Sequence, residues 1–130
     1  MKSITRDEME RFAWLANNAS YNEDLKSEYR RLGRKIMKYI AFRLGLTQYD
    51  IRFNAGGIAV SGDNTLHDER FYLSLTDNCG LGSFYFRSCK GQRDYTGGPN
   101  QNIQWSEWVR NGIESFIRTL GNKFYPERFQ

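Results

Sequence analysis

The sequence has two cysteines, one histidine and no long apolar run. No stretch approaches the roughly 18 apolar residues that a membrane span requires. The first eight residues, Met1 to Glu8, lack the apolar segment of a secretory signal. Two cysteines are too few for a disulfide framework. Together these absences predict a cytoplasmic protein with no membrane partner. Cys79 and Cys89 bracket a predicted strand, which would hold them beyond disulfide reach. One histidine with two separated cysteines makes no zinc ligand set. No glycine-rich segment ends in Gly-Lys-Ser/Thr, and the dinucleotide-binding glycine spacing is missing too. No metal and no cofactor is therefore expected. Internal repeats and low-complexity linkers are also lacking.

What is present suits one folded domain over residues 1–130. Hydrophobic residues make up 39% of the chain, enough to build a core and to exclude global disorder. The formal charge of +4 is unevenly spread. Residues 1–21 carry Lys2, Arg6 and Arg11 against Asp7, Glu8 and Glu10, and residues 47–130 carry nine charges of each sign. Residues 22–46 hold Lys26, Arg30, Arg31, Arg34, Lys35, Lys38 and Arg43 against Glu23, Asp24 and Glu28. The whole excess lies in that one segment.

Helical periodicity opens the chain. Thr5 and Glu8 have capping-box spacing, and Met9, Phe12, Ala13 and Ala16 repeat along one face. A second helix is predicted from Glu23 to Leu44, capped by Ser20 or Asn22 and stopped by Gly45. Its apolar stripe is Leu25, Tyr29, Leu32, Ile36, Ile40 and Leu44. Lys26, Arg30, Arg34 and Lys38 follow one side of it, with Arg31 and Lys35 beside them.

After Gly45 the period falls to two. Strands are predicted at Tyr49–Asn54, Ile58–Ser61, Arg70–Thr76 and Ser83–Cys89, with turns at Gly56-Gly57 and Gly62-Asp63-Asn64. Short links favour an antiparallel meander. Lys90 to Asn102 has no periodicity. A final helix is predicted from Gln104 to Leu120, stopping at Gly121, with an aromatic tail of Phe124, Tyr125 and Phe129. The fold class is thus α+β, in the order α-α-β-β-β-β-α: a four-stranded antiparallel sheet with two N-terminal helices and one C-terminal helix on one face.

Four clusters have chemistry to weigh. The basic side of the second helix suits phosphates or an acidic protein surface, and equally a solvated exterior. In the loop from Lys90 to Asn100, glycines can converge backbone N–H groups on an anion, with Lys90 and Arg93 adding charge and Tyr95 able to stack on a base. The same loop equally suits a shaped connection. Tyr72, Tyr85 and Arg87 share the polar side of the sheet, as a platform for bases or as ordinary cross-strand pairs. Asp63, His67 and Glu69 are the one group with catalytic residue types. Neighbours on a strand point to opposite faces, so His67 and Asp68 do not converge. No catalytic residue is assigned.

Gly56-Gly57-Ile58-Ala59-Val60-Ser61-Gly62, Leu66-His67, Cys89-Lys90-Gly91 and Asp94-Tyr95-Thr96-Gly97-Gly98-Pro99-Asn100 occur in that order. Over residues 49–102 the chain resembles a group of small uncharacterised proteins of tailed bacteriophages. The resemblance implies a phage accessory protein in the bacterial cytosol, and it brings no catalytic residues. Such small proteins often inhibit host machinery, which is an argument by association. The expected function is accordingly a non-enzymatic, anti-CRISPR-like inhibitor. It would bind a host protein or protein–nucleic-acid complex through Lys26, Arg30, Arg31, Arg34, Lys35 and Lys38, with Lys90, Arg93 and Tyr95 as a second patch. The alternatives are direct binding of single-stranded DNA or RNA, and capture of a nucleotide signal by the glycine loop.

Overall fold

The structure, a computed structural model, describes residues 2–76, 82–91 and 98–129. Four helices and a five-stranded antiparallel sheet make an α+β fold. The helices are α1 (Arg6–Asn18), α2 (Glu23–Leu44), α3 (Trp105–Asn111) and α4 (Ile113–Phe124). The strands are β1 (Tyr49–Asn54), β2 (Asp63–Asp68), β3 (Phe71–Thr76), β4 (Ser83–Ser88) and β5 (Gln101–Gln104). Every neighbouring pair is antiparallel and the sheet order is the chain order, so the meander is as predicted.

The N-terminal helices follow their local chemistry. Thr5 accepts from the Glu8 backbone N–H while the Glu8 carboxylate accepts from that of Thr5, which closes the capping box. The side chain of Asn22, not Ser20, caps α2 by accepting from Leu25 N–H. Gly45 ends α2 in the left-handed conformation. Phe12 stacks on Tyr29 with ring centroids 4.8 Å apart, locking α1 to α2.

Three predictions on the sheet and final helix need correction. First, Ile58–Ser61 is not a strand. Residues 58–60 form a turn, Ile58 is exposed, and its carbonyl accepts from Tyr21 N–H at 2.7 Å. The strand lies later, at Asp63–Asp68, and its first two residues fall within the turn expected at Gly62-Asp63-Asn64. It carries one aliphatic residue, Leu66, and is held by pairing on both sides, with β1 and β3. Second, Gln101–Gln104 forms a fifth strand on β4, inside the stretch read as aperiodic. A short edge strand needs little apolar signal, and Ile103 supplies it. Third, the C-terminal helix is two helices. Gly112 takes φ 86° and ψ 164°, which interrupts the helical path between α3 and α4. The stop foreseen at Gly121 is absent, and α4 runs on to Phe124.

Leu66, Phe71, Leu73, Leu75, Phe84 and Phe86 share one core with the buried faces of the helices. Trp105, Trp108, Phe116 and Phe124 ring Phe84 and Phe86 there. The other face of the sheet is polar. In register across it run Asp50, His67, Tyr72 and Arg87. The aromatic tail folds back onto the domain, with Phe124 and Tyr125 buried. Arg128 donates to the carbonyls of Leu44 and Gly45, at 2.7 and 3.0 Å, and so closes the end of α2.

Candidate binding surface

The cations of α2 divide by what α1 and the loops bring to them. Lys26 is buried, and its Nζ donates to the Gly57 carbonyl at 3.0 Å, so it is a structural tie rather than part of a docking face. Lys35 pairs with Glu8 of α1. Arg30 lies 5.4 Å over the Phe53 ring at the rim of β1. Arg43 pairs with Glu114 and also donates to the Tyr39 hydroxyl. Arg31, Arg34 and Lys38 are exposed and enter no ion pair among the described residues. They form a row at helical spacing on the outer side of α2.

Of the acids that line the groove beside this row, Glu8 and Glu28 are already engaged. Arg11 meets Glu28 in a two-pronged bond, both contacts 2.7 Å. That bond lowers the Glu28 carboxyl below its ordinary 4.5. The Lys35 bond, followed by the Thr5 backbone N–H, lowers Glu8 in the same way. The two ion pairs bridge α1 and α2 across an open groove of about 440 Å³ that Leu32 also lines. With Glu8 and Glu28 engaged, the charges of Arg34 and Lys38 stay uncompensated at the surface, while Arg31 stands within the field of Glu28.

Phe42, which the sequence reading passed over, is 59% exposed. It follows Arg34 and Lys38 at the next i+4 step of α2, so an aromatic ring ends the cation row. The available signal was its phase. At 100° per residue Phe42 falls between Arg31 and Lys35, away from the apolar stripe.

Lys90 of the second patch stands apart from the first. Lys90 follows β4, three strands from the β1 rim where Arg30 packs. Arg93 and Tyr95 lie outside the described residues, as does Cys79. Tyr72, Tyr85 and Arg87 do share the polar sheet face, but as cross-strand neighbours. The Arg87 guanidinium sits 4.6 Å over Tyr72 and is buried, and the two tyrosine rings are 6.3 Å apart.

The residues of catalytic type are kept apart. Asp63 and His67 are four residues apart on one strand, about 13 Å. Asp63 accepts from the Ser74 hydroxyl at 2.6 Å, and buried His67 meets the Tyr72 ring edge-on at 5.1 Å. Glu69 is exposed beyond the end of the strand. Cys89 is a half-buried thiol that donates to the Asp68 carbonyl at 3.2 Å. Among the described residues no group of three or more His, Cys, Asp or Glu side chains is placed to hold a metal ion. None of the described helices is long and apolar enough to cross a membrane. The chain matches no protein-family model, no curated protein and no solved structure.

Proposed function

We propose that this is a non-enzymatic binding protein that docks the outer side of α2 on a nucleic-acid-handling or defence complex of a bacterial host and inhibits it, as an anti-CRISPR protein does. One observation carries the anionic character of the partner. Arg34 and Lys38 stand exposed without an ion-pair partner among the described residues, and Arg31 stands exposed beside them within the field of Glu28, in a chain whose other segments are balanced. The likeness to small phage proteins supports the choice of a host complex and a cytosolic setting. The contact set is Arg31, Arg34 and Lys38, flanked by Arg30 and Phe42. Affinity-tagged protein is incubated with bacterial lysate and its partners are compared with those of the Arg31→Glu/Arg34→Glu/Lys38→Glu variant. Loss of a partner from the variant alone is expected. Equal recovery removes the role given to α2.

A second reading, direct binding of single-stranded DNA or RNA, is favoured by Phe42. An exposed ring beside a row of cations is the pairing that stacks bases and tracks a phosphate backbone. Fluorescence anisotropy with a labelled oligonucleotide tests it, and no complex at low salt excludes it. Nucleotide capture by the glycine loop would depend on residues 92–97, which lie outside the described residues.

A further inference from the structure

Among the described residues β1 is the first strand of the sheet and pairs on one side only, with β2. Its outer backbone groups face away from the sheet. Tyr49, Ile51 and Phe53 share the core side of this rim. Tyr49 is 37% exposed, and Ile51 and Phe53 are half-buried. Asp50 and Arg52 share the polar side. Within one chain they are 3.7 Å apart, with side chains 49% and 70% exposed.

We propose that this edge pairs antiparallel with the same edge of a second copy, about a two-fold axis through Ile51, making one continuous sheet. Strand geometry restricts the choices. Backbone groups and side chains both alternate with period two, so a residue can face only one of the same parity across a two-fold axis. The axis must therefore pass through a residue. Through Ile51 it sets Asp50 opposite Arg52 of the second copy and Arg52 opposite its Asp50. The same register sets Tyr49 opposite Phe53, twice over. Moving the axis to Asp50 sets two aspartates face to face, and moving it to Arg52 sets two arginines face to face. Directly opposed like charges disfavour both, and an axis through Tyr49 or Phe53 pairs far less of the strand, so charge pattern and strand length together select one register.

Charges on an edge usually discourage pairing. Here they have opposite sign and lie two residues apart, which makes the edge complementary to itself. Arg30, already over Phe53, would also stand beside Tyr49 of the second copy. Five of the six β1 residues face strand residues of the second copy in this register, a small interface, so this association belongs to the weak, concentration-dependent class. α2 packs over β1 and β2, so two basic helices approach on one face and their repulsion keeps the association weak.

Sedimentation velocity from about 10 to about 500 µM covers the affinity range expected of a weak dimer. The wild type is expected to shift from monomer to dimer across that range. Asp50→Arg and Arg52→Asp each lose the dimer, because each sets like charges opposite, and the Asp50→Arg/Arg52→Asp double variant regains it. Circular dichroism checks that each variant is folded. As a second measurement, Ile51→Cys is oxidised and run on a non-reducing gel beside the wild type. It should cross-link to a dimer, whereas Asp50→Cys should not. A wild type that stays monomeric throughout, or a dimer indifferent to both single substitutions, overturns the proposal. So does cross-linking of Asp50→Cys in preference to Ile51→Cys.

Discussion

Gly33, in the middle of α2, lies directly against the side chain of Asn64 in β2. A β-carbon at Gly33 would come within 2.5 Å of Asn64 Oδ1. Both residues are buried, and Asn64 Nδ2 reaches the Tyr29 carbonyl at 3.5 Å. The missing side chain is what lets the helix settle this close to the sheet. Helix propensity alone favours Gly33→Ala by about 1 kcal/mol. Overpacking costs about 1–3 kcal/mol and opposes it. Gly33→Ala is therefore expected to destabilise the fold. Urea denaturation measures the sign, and a gain in stability would contradict the close approach.

Tyr125 ties the tail to the sheet. Its hydroxyl donates to the buried Asp68 carboxylate, and its ring lies between Arg70 and Arg128, at 4.2 and 4.5 Å. Tyr125→Phe leaves a buried acceptor without this donor and is expected to cost about 1–3 kcal/mol near neutral pH. Burial pushes the Tyr125 hydroxyl above its ordinary value of 10.0, and the bond to Asp68 adds to the rise. A raised pKa means that the folded state holds the proton more tightly than the unfolded state. That stabilisation is complete below about pH 10 and is lost as the pH climbs from there towards the folded value. The stability gap between wild type and Tyr125→Phe should stay constant through neutral pH and narrow in alkali. Thermal melts at stepped pH test this, and a gap that widens in alkali contradicts it.

The helices at the N-terminus were legible because their signals are local. A capping box, an i, i+3, i+4 stripe and a terminal glycine act within a few residues, and α2 spans the predicted residues. β1, β3 and β4 were legible from alternation. β2 was not, since Asp63 to Asp68 is polar and is held by neighbours distant in sequence. The break at Gly112 was hidden inside a continuous apolar pattern. The candidate surface divides in the same way. Where the positive charge lies could be read from the sequence. Which cations are spent could not, because that depends on α1 bringing Glu8 to Lys35 and on a loop bringing Gly57 to Lys26.

Tyr21 is the only residue other than glycine with positive φ among the described residues, at 60°. A bulky side chain there is strained by about 1–3 kcal/mol. The ring gains little in return, being 74% exposed. Glycine relieves the strain but adds about 0.5–1 kcal/mol of unfolded-state entropy to be lost on folding. Tyr21→Gly should therefore leave stability unchanged or raise it slightly. A clear loss in denaturant midpoint would mean that the exposed ring makes a contact that offsets the strain.

Arg34 and Lys35 are adjacent in sequence and should behave oppositely. Arg34 is exposed without an ion-pair partner among the described residues, so its charge is available to an anion. Lys35 is already held by Glu8, so using it would break the bridge to α1. A heparin column supplies a generic polyanion and needs no knowledge of the natural partner. Removing a cation that contacts phosphate-like groups lowers the salt dependence by about one unit of slope. Arg34→Ala should therefore elute at lower salt than wild type, and Lys38→Ala likewise. Lys35→Ala should elute close to wild type. Its effect should appear in stability, as a loss of up to about 1 kcal/mol that shrinks with added salt. If Lys35→Ala weakens retention as much as Arg34→Ala, the division of α2 into spent and available cations fails, and net charge alone explains the binding.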